Sequence, residues 1–151
     1  MLILWRLVHT FGFILWFIGL FGTTAAQVAA RKAADPAARR GAWTVVRRLQ
    51  PFEIVGMILT PLGGIFLTTS IYGHLFAGTP AFVHIKLLLV IIAFVLNLVV
   101  IVKRRQVEER ITAGDDAGFT KGVKRLAMLE GIATLMLPAA VVVVVVIKYT
   151  V

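Results

Sequence analysis

With 60% of its 151 residues hydrophobic and only 15% charged, and a mean hydropathy of +0.95, the chain is too apolar for a soluble domain of this size. It contains no cysteine, which excludes disulfides, thiolate nucleophiles and cysteine-ligated zinc or iron–sulfur centres. Sixteen Lys and Arg against seven Asp and Glu give a net charge of +9, a balance that suggests nucleic acid in a soluble protein but whose placement along this chain points to a membrane.

Residues 7–30, 54–85, 87–102 and 131–147 carry no Asp, Glu, Lys or Arg. A helix crosses the hydrocarbon core with ~20 mainly apolar residues at 1.5 Å each, so the first span covers residues 2–29. Only Arg6 precedes its apolar run and a basic cluster follows it, the reverse of a signal peptide's charge order, so it reads as a retained helix. Asp35-Pro36 is a helix N-cap followed by proline at the first position. Beyond it Ala42, Val46 and Leu49 share a face opposite several arginines. That pattern predicts a short basic helix lying on the membrane surface, with Trp43 among the headgroups.

The second span covers 52–76, and Gly73, Gly78 and Pro80 interrupt the long uncharged run after it, because a tight connection needs turn residues that a helix tolerates poorly. The third span covers 81–102 and is predicted to continue outward, where Arg104/Glu108 and Arg105/Glu109 form i,i+4 pairs. Gly114 to Gly118 turn the chain; Asp115 and Asp116 lack the remaining ligand positions of a calcium loop. The fourth span covers 126–148. Pro61 and Pro138 fall inside spans, where neighbouring helices accommodate the kinks. The expected fold is thus an all-α bundle of four transmembrane helices in one membrane domain, 1–151, with loops 30–51 and 103–125.

Thirteen of the sixteen basic residues lie in those two loops, leaving Arg6, Lys86 and Lys148. The positive-inside bias places both loops in the cytoplasm, and both termini with the 77–80 turn outside, in a multi-pass protein of the inner (plasma) membrane. The positive charge is then matched to the anionic lipids of the inner leaflet, and nucleic acid is not an expected partner.

Polar residues on the spans follow helical faces. His9, Gly12, Trp16, Gly19, Thr23 and Ala26 succeed one another at intervals of three and four, as do Glu53, Gly56, Thr60, Gly63, Leu67, Ser70 and His74. Such stripes pack helices closely through small residues, or they line a cofactor or substrate cavity, which makes Gly12 and Trp16 candidate cofactor contacts beside His9. Ionisable groups in hydrocarbon are costly and usually face the bundle interior for a purpose.

Two of the histidines, His9 and His84, lie on parallel spans with depths about one turn apart, compatible with two imidazoles reaching one iron. Hydrogen bonding near the interface, or a copper or zinc site that also takes His74, are alternatives. Lys86 shares a stripe with Val90, Ala93 and Asn97; it either snorkels to headgroups or pairs a propionate or substrate carboxylate. Glu53 and Glu130 are expected to meet Arg47, Arg48 or Arg125 near the interface, with a role in proton entry as the alternative.

His9-Thr-Phe-Gly-Phe-Ile-Leu-Trp16-Phe-Ile-Gly19-Leu-Phe21, with Phe82-Val-His84-Ile-Lys86-Leu87 at the head of the third span, resembles the HemJ-type protoporphyrinogen oxidases and their CopD-like relatives among small four-helix membrane proteins. Where that family has an Arg and a Tyr-His after the first motif, this chain runs Gly22-Thr-Thr-Ala-Ala-Gln27. The resemblance implies haem b, with His9 and His84 as axial ligands and Lys86 as a functional, catalytic cation. The expected function is accordingly a membrane haem-binding redox protein, an oxidoreductase acting on a porphyrinogen or quinol, with a porphyrin or quinone as ligand. A cofactor-free accessory subunit of a larger respiratory or photosynthetic complex, a homo-oligomer, and a copper-handling protein are the rival expectations.

Overall fold

The computed structural model describes the backbone of residues 1–150 and the side chains of residues 1–146. It is all-helical, with α1 (Leu2–Lys32), α2 (Pro36–Tyr72), α3 (Ala81–Ala113) and α4 (Asp116–Thr150). All four helices are long and apolar enough to cross a membrane, so the chain is a multi-pass membrane protein. Lys148, expected to close the fourth span, lies outside the described side chains.

Local chemistry sets the boundaries. Asp35 Oδ1 accepts the backbone N–H groups of Ala37 and Ala38, both at 2.8 Å, and Pro36 supplies the preset φ of a first helical residue. At the other end of the bundle, α2 stops at Gly73, whose φ of 79° is left-handed and open to glycine at little cost. Gly114, with φ 72°, ends α3 in the same way.

Two expectations about the basic loops are corrected. The surface helix and the second span are one continuous helix, which passes through Pro51 without breaking. Trp43 is 4% exposed and packs edge-on against Phe119 with ring centroids 5.9 Å apart, inside the bundle instead of on its surface. Likewise α4 begins at Asp116, ten residues before its predicted start at 126. Phe119, Val123 and Leu126 are buried there, a three-to-four spacing that makes an amphipathic helix of a segment too charged to read as a span.

The helices pair unequally. α1 packs closely along α2, α3 along α4, and α2 barely touches α3. The α1–α2 seam is backbone against backbone: a Cβ at Gly19 would lie 2.6 Å from the N of Glu53, and one at Gly56 would lie 2.6 Å from the carbonyl oxygen of Gly12. Small residues at seven-residue intervals on both helices permit this approach. Gly56→Ala therefore lowers stability by about 1–3 kcal/mol through overpacking, read as a fall in the thermal midpoint in detergent. Gly41→Ala, where an added methyl meets nothing within 4 Å, leaves the midpoint unchanged or raised.

Two apolar clusters fill the interior. Trp16, Leu20, Met57, Ala93, Ala133 and Leu137 belong to the one nearer the 73–80 connection, here called the turn end. Ala30, Trp43, Val46, Val107, Phe119 and Val123 belong to the one at the basic end. A buried polar cluster on Thr23, Gln27, Glu53, Arg104 and Glu130 lies between them along α2 and α4, while on α3 Arg104 falls between Val100 and Val107 of the basic-end cluster. The exposed surface is dominated by Ile, Leu, Val and Phe, as expected of helices facing lipid.

Candidate functional site

Near the turn end, Gly63 approaches the backbone of His9 so closely that a Cβ there would lie 2.6 Å from its N, and Gly64 lies under the imidazole. This draws the ring to α2, where Nδ1 lies 2.7 Å from the carbonyl oxygen of Thr60. A carbonyl only accepts, so Nδ1 carries the proton and Nε2 presents a lone pair. Lys86 Nζ, from α3, donates to Nε2 at 3.1 Å. The expectation that Lys86 either snorkels or serves a ligand resolves geometrically into an inward position, half-buried against His9.

Cavities flank this pair on both sides. One of about 80 Å³ lies between α2 and α3, walled by Thr60, Pro61, Leu67, Val83 and Leu87. The other, of about 250 Å³, is closed by Phe13 of α1, Val90 of α3 and Leu137 and Ala140 of α4. Both share His9, Thr60, Lys86 and Val90. The space exists because the α1–α2 and α3–α4 pairs pack tightly within themselves and meet loosely across α2 and α3. Its walls are mainly apolar, with Thr10, Thr60 and Thr68 among them and one imidazole and one ammonium as the ionisable groups, an arrangement suited to a hydrophobic molecule carrying an oxygen.

The other candidate residues go elsewhere. His84 is exposed; its Nε2 lies 3.1 Å from Thr79 Oγ1 and its ring stacks on Phe76 at a centroid distance of 6.3 Å. It lines neither cavity. His74 is exposed in the connection after α2. Gly12 is in the α1–α2 seam, where a Cβ would lie 2.7 Å from the N of Thr60, and Trp16 is fully buried in the apolar cluster. Among the described residues, no three His, Asp or Glu side chains gather where they could hold a metal ion. His9 and His84 thus line no common cavity, and of the three imidazoles His9 alone borders the two cavities at Lys86.

A second polar site, at mid-bundle toward the basic end, departs from the sequence reading. Arg104 does not pair with Glu108, and Glu53 and Glu130 do not meet Arg47, Arg48 or Arg125. Arg104 is 2% exposed and bridges the two glutamates, each 0% exposed, with Nη1 2.6 Å from Glu53 Oε2 and Nη2 2.6 Å from Glu130 Oε1. Glu108 pairs instead with Arg47. The signal was present: Lys86, Val90, Ala93, Asn97, Val100 and Arg104 lie on one face at intervals of three and four, and the last five of that series are buried.

Between the two polar sites, Asn97 and Trp16 are both fully buried, and neither the Asn97 amide atoms nor Trp16 Nε1 has a hydrogen-bond partner. Each is seven residues, about 10 Å of helix, from the mid-bundle cluster, measured from Arg104 on α3 and Thr23 on α1. Comparison with protein-family models, with curated proteins and with solved structures finds no match for this chain.

Proposed function

We propose that the chain is a membrane redox protein whose working site is the cavity at His9 and Lys86, and that its ligand is a flat hydrophobic ring carrying oxygen, a quinol or quinone. The contact of His9 with Lys86 at 3.1 Å on the wall of a mainly apolar cavity supports this. Two ionisable side chains inside a bundle are costly to keep there, and a ligand oxygen gives both of them work. Lys86 donates to that oxygen. His9, its Nδ1–H anchored on Thr60, offers Nε2 to a ligand hydroxyl and can take its proton. Oxidation of the quinol to the quinone releases two electrons, to a redox acceptor on a partner subunit, and two protons, the first to His9 Nε2 and the second by the same route once the first has passed on. The positive-inside bias puts the cavity in the outer half of the inner membrane and the basic loops against anionic lipid.

A second reading, haem b on a single imidazole, has one observation in its favour. Iron-binding histidines commonly donate the other ring N–H to a backbone carbonyl, as His9 does to Thr60. In that reading His9 holds the iron and Lys86 pairs a propionate; the haem would supply one-electron exchange.

Titration of the purified protein with a short-chain quinone, and separately with haemin, tests both. Saturable quinone binding supports the first reading and a Soret band that titrates to one equivalent supports the second. Binding of neither, or binding that is unchanged in His9→Ala, overturns the site. Since His84 lines neither cavity, His84→Ala is expected to bind as the unmodified protein does.

A further inference from the structure

The mid-bundle cluster holds charges that do not cancel. The ionisable groups that face it are Glu53 from α2, Arg104 from α3 and Glu130 from α4; α1 contributes only Thr23, Thr24 and Gln27. All three ionisable side chains are buried, with apolar clusters on either side. One guanidinium against two carboxylates leaves one negative charge in excess, and an uncompensated charge in such surroundings is neutralised more cheaply than it is kept.

The hydrogen bonds are distributed unevenly over the two acids. Glu130 Oε1 accepts from Gln27 Nε2 at 2.6 Å, from Arg104 Nη2 at 2.6 Å and from Arg104 Nε at 3.1 Å, and Oε2 accepts from Thr24 Oγ1 at 2.7 Å. Glu53 has one short contact, Arg104 Nη1 at 2.6 Å, with Arg104 Nη2 at 3.3 Å and Thr23 Oγ1 at 3.2 Å. Moreover, the Thr23 hydroxyl lies 3.0 Å from the carbonyl oxygen of Leu20. Thr24 Oγ1 lies 2.8 Å from the same carbonyl and Thr23 Oγ1 accepts from Arg104 Nη2 at 2.8 Å, so each threonine has one hydroxyl proton to share between Leu20 and its glutamate. What differs is the rest of the shell: Glu130 accepts from Gln27 and from both Nε and Nη2 of Arg104, as an anion does, whereas Glu53 has Arg104 alone besides its threonine.

We propose that this cluster is a proton-binding site: one exchangeable proton resides on the Glu53 carboxyl, while Arg104 and Glu130 form the ion pair. Taking up the proton converts the Glu53 carboxylate to the acid and brings the cluster to neutrality; releasing it restores the excess charge. The site is independent of what the cavity at His9 binds, so neither proposal falls with the other.

Infrared spectroscopy of the full-length protein at neutral pH, with and without carbon-13-labelled glutamate, tests it. The expected result is the C=O stretch of a protonated carboxyl that shifts with the label, shifts again in D2O, and is lost in Glu53→Gln. Glutamine is a neutral stand-in for the protonated acid, so Glu53→Gln keeps its thermal midpoint within about 2 °C of the unmodified protein, while Glu130→Gln lowers it by more. Absence of the labelled band in the unmodified protein overturns the proposal. So does Glu53→Gln failing to fold or losing more stability than Glu130→Gln. Stabilisation by sodium over choline that disappears in Glu53→Gln would assign a metal cation in place of the proton, and overturn it too.

Discussion

Arg104→Met is expected to remove most of the folded protein. Arg104 is 2% exposed and lies between two glutamates that are each fully buried, so methionine leaves an anion without its partner, at a cost of about 3–5 kcal/mol. Against a total stability of about 5–15 kcal/mol this is a large share. The measurement is the yield of monodisperse protein in detergent and its thermal midpoint. Pairing Arg104→Met with Glu130→Gln should recover much of the loss, since replacing both members of a buried ion pair is often close to neutral. The ion pairs nearer solvent make the contrast. Arg47 pairs with Glu108, but Arg47 is exposed, and Arg47→Ala is expected to cost less than about 1 kcal/mol.

His9→Ala should weaken ligand binding by about 10- to 100-fold. A hydrogen bond involving a charged or strongly polar partner contributes about 1.5–3 kcal/mol, and each 1.4 kcal/mol is about tenfold in affinity. The effect has two parts: loss of the Nε2 acceptor, and release of Lys86, which donates to it at 3.1 Å. Lys86→Met should produce a loss of similar size, because a longer-range apolar contact cannot replace a donor. Titration of each variant with quinone and haemin measures both effects. Folding should survive in each case, because these side chains border cavities rather than fill the packed seam.

Much of this architecture was legible in the sequence because hydrocarbon imposes a length and a charge rule. Four uncharged runs gave four helices, and the positive φ of Gly73, Gly78 and Gly114 falls where turn residues predicted the connections. The glycine stripes of α1 and α2 became the close seam from Gly12 to Gly63. Beyond the membrane the same rule misled. The face at 42, 46 and 49 predicts a helix but not its continuity with the second span, and residues 116–125 are helical because Phe119 and Val123 join Trp43 and Val46 in one buried cluster.

The sites were half legible. His9 and Lys86 stood out as ionisable groups in apolar helices, and the structure joins them. Residues 84 and 86 are ~200° apart around a helix, so His84 and Lys86 cannot both face the bundle; the structure turns Lys86 inward. Arg104 was read by its nearest sequence partner, Glu108, where helical periodicity over eighteen residues from Lys86 carries the stronger information. A local i,i+4 pair is worth only about 0.2–0.5 kcal/mol, too little to hold a guanidinium outside a bundle that offers it two carboxylates.

Photolabelling locates the ligand most directly. An azidoquinone irradiated with the purified protein, followed by peptide mass spectrometry, should mark residues 60–68 of α2 and 83–90 of α3, which wall the cavity at His9, and excess unlabelled quinone should suppress the label. Label scattered over the lipid-facing side chains of all four helices, undiminished by competition, contradicts a binding site at His9 and Lys86.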